Sequence, residues 1–220
     1  MVNAECEWFM THNPNISERF GKIFQEVDKE GEKVVSEVAQ LNPTLQQKLI
    51  QIARETIETY IRTRNVPKFS VAEPELLQKA GAFVTIKAHG RLRGCIGHVE
   101  GMNPLYETIV EMAIAASTQD PRFSPVTERE LADLQLEISV MTPLRRIDNP
   151  EEIQVGEHGI LMRRGYRSGL LLPQVATEQG WDRETFLEHT CLKAGLPKSA
   201  WRDPETQIYV FSAQVFDETV

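Results

Sequence analysis

Cysteine is scarce in this chain. Three residues, Cys6, Cys95 and Cys191, are an odd number and lie far apart, which excludes a small fold stapled by a disulfide framework and fits a reducing compartment. Long apolar runs are missing too: no stretch approaches the roughly 20 residues that a membrane span needs. The first residues, with Glu5, Glu7 and Trp8, have neither the basic start nor the apolar core of a secretory signal. Positive charge is in deficit, with 24 Lys and Arg against 32 Asp and Glu and a net charge of -8. A dedicated nucleic-acid binder needs a clustered basic face, so a nucleic-acid-related regulatory role is the weakest functional class here. Repeats, low-complexity tracts and phosphate-loop motifs are also lacking, and Gly90, Gly94 and Gly97 do not form a phosphate cradle. The expected location is cytoplasmic, with no membrane partner, no cofactor and no metal site.

What is present suits a globular protein of 220 residues with 41% hydrophobic and 25% charged residues. Between Asn15 and Gln40 the apolar residues keep helical spacing, in two pieces broken near Gly31. Asn42-Pro43 predicts an N-cap and first turn. It opens an amphipathic helix through Leu45, Leu49, Ile52, Ala53, Ile57 and Tyr60 that ends before Val66-Pro67. Ala82 to Ala88 and Arg91 to Val99 predict a β-hairpin around His89-Gly90. Asn103-Pro104 opens another helix, and Thr127 to Glu130 is a capping-box pattern. Leu136, Ile138 and Val140 predict a strand with one buried face. A hairpin around Gly165 follows, then a helix capped by Asp182 and closed at Gly195. A single last strand runs through Tyr209, Phe211, Ala213 and Val215. Hairpins mixed with helices, without a βαβ rhythm, give an α+β fold with mostly antiparallel sheet.

The segment richest in chemistry is Leu92-Arg93-Gly94-Cys95-Ile96-Gly97. In strand geometry Arg93 and Cys95 share a face, with α-carbons about 7 Å apart. A guanidinium near a thiol favours the thiolate, the form that acts as nucleophile. Glycine in a strand marks a bulge or a place where a ligand or another backbone approaches. Equally, Cys95 is of a type that packs well in cores. Asp120 and Arg122 lie in a proline-bounded loop, suited to a carboxylate–guanidinium clamp or to a plain turn. Glu137 is a candidate general base or orienter on a strand, or else a solvated residue. His158 stands at a turn beside Gly159. Cys95 and His98 alone fall short of the three or four ligands a zinc site needs. Cys191 sits on the apolar stripe of its helix, and Arg163, Arg164 and Arg167 form a basic patch able to attract an anion.

The hexapeptide resembles the signature of the AMME chromosomal-region protein family, whose AMMECR domain is also component A of the AmmeMemoRadiSam system. The resemblance continues through Asp120-Pro121-Arg122-Phe123, Glu137-Ile138-Ser139-Val140, His158-Gly159, Leu171 to Val175, Gly180-Trp181 and Lys193 to Leu196. It implies an AMMECR-like domain over residues 44–220, with residues 1–43 as an N-terminal helical extension. It also implies two unequal lobes with a groove between them near the hexapeptide, and no assigned reaction. Genome association in the family implies Memo-like and radical-SAM proteins as partners. Three functional classes follow. One is an enzyme in which Cys95 and Arg93 are catalytic, with Gly94, Ile96, Gly97, Asp120, Arg122, Glu137 and His158 binding an unknown small-molecule or protein substrate. The second is a non-catalytic binding or accessory module for a partner protein or small ligand. The nucleic-acid role is the third.

Overall fold

A computed structural model describes residues 40–219, which form two compact units. The helical pieces expected between Asn15 and Gln40, and Cys6, lie outside the described residues. Residues 40–143 and 214–219 belong to the first unit, and residues 144–213 to the second.

In the first unit the chain enters helix α1 (Pro43–Thr63), where Asn42 accepts the Leu45 N–H at 3.0 Å. The helix stops at Arg64, in a left-handed conformation with φ 60, ahead of the stop expected at Val66-Pro67. A one-turn helix α2 (Pro74–Leu77) leads to strands β1 (Ala82–Ala88) and β2 (Arg91–His98). Their turn has positive φ at both His89 and Gly90, 51 and 73. This is the pattern that matches the twist of a two-residue hairpin. Helix α3 (Leu105–Thr118) follows, without a side-chain cap. Asn103 does not do the capping expected of it; the Leu105 N–H is instead accepted by the Gln78 carbonyl at 2.8 Å. A 3-10 turn (Glu128–Asp133) carries the capping box and delivers strand β3 (Leu134–Met141).

The second unit holds β4 (Arg145–Ile147), the hairpin β5 (Gly159–Arg164) and β6 (Arg167–Leu171), helices α4 (Pro173–Gln179) and α5 (Arg183–Lys193), and β7 (Gln207–Phe211). Asp182 caps α5 by accepting the Thr185 N–H at 2.8 Å, as its position before the apolar stripe predicts. The expected single last strand is two. β7 belongs to the second unit's sheet, while β8 (Ala213–Asp217) joins the first unit's, and the chain changes sheet at Ser212. The alternation of Tyr209, Phe211, Ala213 and Val215 runs straight across that break, so side-chain pattern alone hides it. The strand orders are β2-β1-β3-β8 and β4-β7-β5-β6, and β1 pairs antiparallel with both β2 and β3. This is the expected α+β architecture.

Each unit closes its own core. In the first, Val84, Ile86, Ile138 and Leu136 are at most 1% exposed, as are Leu49, Ile57, Leu105 and Ile109 of the helices. In the second, Ile160, Met162, Phe186 and Cys191 are fully buried. The Cys191 thiol lies 3.1 Å from Met162 sulfur, and burial pushes its pKa up, in keeping with the core role its spacing predicts. Among the described residues no helix is long and apolar enough to cross a membrane.

Gly94 shows how tightly α3 sits on β2. A Cβ built on it would fall 2.2 Å from the Ala116 carbonyl oxygen, a backbone atom of α3 that cannot swing aside. Gly94→Ala is therefore expected to cost about 3 kcal/mol of unfolding free energy by overpacking. Urea denaturation measures it, and a loss below about 0.5 kcal/mol, as for an ordinary surface change, would show that α3 is free to shift.

Candidate functional site

Strand β2 is the outer strand of its sheet, so its outward N–H and C=O groups need partners from elsewhere. At Cys95 they are met by the loop after α3. The Cys95 N–H donates to Asp120 Oδ2 at 2.9 Å, and Arg122 Nη2 donates to the Cys95 carbonyl at 3.3 Å. Asp120 also accepts from Arg122 Nε at 2.9 Å, Arg122 Nη2 at 2.7 Å and the Arg122 backbone N–H at 3.1 Å. The Asp120 side chain is only 2% exposed. Burial opposes its charge, yet the Arg122 guanidinium and the Cys95 N–H outweigh it and hold its carboxyl below the ordinary value. The clamp and the turn posed as alternatives by the sequence coexist: one carboxylate does both.

Arg93 departs from simple alternation. The β1–β2 register pairs Ile86 with Gly94 but Lys87 with Leu92, leaving Arg93 as the extra residue of a bulge. The bulge breaks the alternation expected through Arg91, Arg93 and Cys95. Arg93 Nε instead donates to Glu130 Oε1 at 2.7 Å, and its Nη1 donates to the Ser124 carbonyl at 2.9 Å. Its guanidinium lies 6.0 Å from the Phe123 ring centre, with that of Arg122 at 5.5 Å from the same ring. Glu130, which sequence reasoning assigned only to a capping box, also accepts the Thr127 N–H and hydroxyl, both at 2.8 Å. Led by the Arg93 bond, these partners hold its pKa at about 2.

From Gly94 to Gly97 the two sheet faces differ sharply. Gly94 and Ile96 face the helices, with Ile96 paired to Val84. On the opposite face Cys95, Thr85 and Glu137 form one row across three strands, since Thr85 is the register partner of both. The Thr85 hydroxyl is 3.2 Å from the Cys95 sulfur, and Lys87 Nζ donates to Glu137 Oε2 at 2.8 Å. Burial works against the Lys87 charge, but the Glu137 bond wins and raises its pKa. The next row pairs Gly97, Phe83 and Ser139, and a Cβ on Gly97 would sit 2.3 Å from the Phe83 ring. Strand β3 was expected to have one solvated face, which also gave Glu137 a solvated alternative. In fact Cys95 and Thr85 are fully buried, and Ser139 and Glu137 are 1% and 5% exposed.

The structure thus brings Arg93, Cys95, Asp120 and Arg122 together around β2, with Glu137 two strands away. His158 belongs to the second unit, where its Nδ1 accepts the Gln154 N–H at 3.2 Å and closes a turn. The basic patch is largely occupied: Arg164 pairs with Asp203 at 2.9 Å and Arg167 donates to the Gly195 carbonyl at 2.7 Å. Among the described residues, no group of three or more His, Cys, Asp and Glu is arranged to hold a metal ion. Sequence reasoning did not single out Thr85, Lys87 or Ser139, whose shared face depends on strand register.

The sequence pattern of the AMMECR1 family matches residues 50–216, and the chain belongs to that family. A protein of Methanopyrus kandleri is 48% identical over 179 residues, covering 77% of this chain and 86% of that protein. A protein of Methanothermobacter thermautotrophicus is 47% identical over 177 residues, covering 77% and 92%. The crystal structure of an uncharacterised protein from Pyrococcus horikoshii is similar to this fold with a TM-score of 0.73 and 40% identity. It covers 81% of this chain and 93% of that one.

The Arg93–Glu130 pair gives the fold a defined acid response. Glu130 titrates at about 2 in the folded protein against an ordinary 4.5, so its contribution is complete above pH 4.5 and is lost as the pH falls from there towards 2. Glu130→Gln should flatten stability against pH across that window while costing about 1 kcal/mol or less at pH 7, because the pair is partly solvated. Unfolding free energies measured at several pH values check this; an unchanged acid limb would remove Glu130 from it.

Proposed function

We propose that this AMMECR1-family chain is a binding module. On this reading the polar face of the first unit's sheet receives a small ligand or a segment of a partner protein, with Cys95 at its centre. The observation that carries it is the Cys95–Thr85–Glu137 row. Three polar side chains in register, beside Lys87 and Ser139, occupy a sheet face that an ordinary core would fill with aliphatic groups. Among the described residues the buried Ser139 hydroxyl has no hydrogen-bond partner, which favours an incoming group able to complete it. Asp120 and Arg122 hold the Cys95 backbone rigid, and a preorganised wall loses little entropy on binding. The Memo-like and radical-SAM proteins that the family resemblance implies are the partners to try first, and the reducing cytoplasm is the expected setting.

A second reading, cysteine-dependent chemistry, is favoured by the 3.2 Å approach of the Thr85 hydroxyl to the Cys95 sulfur, with Glu137 in the same row. Against it, the guanidiniums that would activate a thiolate are already paired with Asp120 and Glu130.

One experiment on reduced protein separates the two. Thermal unfolding is followed with fractionated native extract and with the purified candidate partners, and iodoacetamide labelling against pH is resolved by mass spectrometry. Binding at about a hundredfold over Kd should raise Tm by about 5 °C, and the rise should shrink in Ser139→Val. Cys95 should label no faster than the buried Cys191. Labelling of Cys95 with a midpoint well below about 8.5 would hand the site to cysteine chemistry. Failure of every fraction and both partners to stabilise the protein would sink the binding reading.

A further inference from the structure

The second unit contains a cavity of about 440 Å³, a size suited to a small molecule. Its walls are β4, the 3-10 turn Lys198–Arg202, the turn that follows and the start of β7. Two residues in this wall carry buried hydrogen-bonding groups that meet no partner among the described residues: Trp201 through Nε1 and Thr206 through its hydroxyl. Thr206 is 8% exposed. The backbone around both groups is held by hydrogen bonds: Asp203 N–H donates to the Ala200 carbonyl at 3.0 Å and Thr206 N–H to the Asp203 carbonyl at 2.9 Å. Leaving two such groups unmet in one wall costs stability, and sites that bind ligands are where proteins tolerate that cost.

The wall also states what would satisfy them. An indole N–H can only donate, so the missing partner is an acceptor. Arg146 and Arg202 line the same cavity, and Arg202 stacks over the Trp201 ring at 4.0 Å. Guanidiniums beside an unmet donor favour an anionic acceptor over a neutral carbonyl. Arg202 also pairs with Glu184, and Arg146 lies 3.8 Å from Asp148. Asp148 and Asp203 line the cavity too, with Asp203 neutralised by Arg164. That balance suits a single negative charge and disfavours a dianion such as phosphate. Ile147, Pro150, Pro204 and Ile208 supply apolar wall for the rest of the molecule.

We propose that this cavity binds a small organic carboxylate with an apolar body, its oxygens accepting from Trp201 Nε1 and the Thr206 hydroxyl beside Arg146 and Arg202. The site lies wholly within the second unit and is independent of the sheet face assigned above to the first.

The test is a titration of the isotopically labelled full chain with benzoate at millimolar concentration, watching the indole N–H resonances. The Trp201 peak is assigned by its disappearance in Trp201→Phe. Benzoate should move that peak. Trp201→Phe and the isosteric Thr206→Val should each weaken binding about tenfold, read from the other shifted resonances. The remainder of each spectrum reports that the variant is folded. An unmoved Trp201 peak, or unchanged affinity in both folded variants, overturns the site. Benzamide or inorganic phosphate binding as tightly as benzoate overturns the carboxylate assignment.

Discussion

The buried Asp120 carboxylate is the interaction on which the arrangement around β2 depends. An outer strand presents unpaired backbone groups, and at Cys95 both are captured, the N–H by Asp120 and the carbonyl by Arg122. Burying a carboxylate is costly, and breaking a buried pair costs about 3 kcal/mol or more. Here the cost is offset because Asp120 accepts from a guanidinium and two backbone N–H groups at once. The bond also fixes the loop. Phe123 lies one residue beyond Arg122, and Arg93 meets both its ring and the Ser124 carbonyl. The edge of β2 is thereby closed to another strand, and the hexapeptide becomes a rigid wall.

That rigidity explains why one short segment mixes glycine, cysteine and isoleucine. Gly94 admits the α3 backbone, Ile96 fills the helix-facing core, and Gly97 leaves room for the Phe83 ring. Cys95 is left on the other face, in register with Thr85 and Glu137. The glycines therefore answer the fold's own close approaches. The question of what binds moves from the hexapeptide's glycines to the polar row beside them.

Local chemistry was legible in the sequence. The Asn42 and Asp182 caps, the His89-Gly90 turn and the Thr127–Glu130 capping box each depend on residues within a few positions, and each is where its pattern placed it. What escaped is set by distant partners. The bulged Arg93 is bonded to Glu130, 37 residues away. The burial of Glu137 on a strand that alternates like a half-solvated one depends on its neighbours in the sheet, as does the change of sheet at Ser212. No run of residues encodes these directly. The clamp was half visible: Asp120 and Arg122 stood out as a pair, but their target, the Cys95 backbone, has no side-chain signature.

The same distinction bears on how the protein recognises anything. The arginines that looked like anion holders in the sequence are committed to the fold: Arg93 to Glu130, Arg122 to Asp120, Arg164 to Asp203 and Arg167 to a helix C-terminus. Their charges are neutralised locally, so they do little to steer ligands from a distance in a chain of net charge -8. Among the described residues, the buried groups left unmet at the two proposed sites are neutral ones, the Ser139 and Thr206 hydroxyls and the Trp201 indole. Neutral donors in a dry wall discriminate by geometry, because a ligand that cannot complete them leaves a buried polar group unsatisfied. Recognition built this way gains selectivity from what it rejects, with the charged residues serving mainly to hold the wall in place.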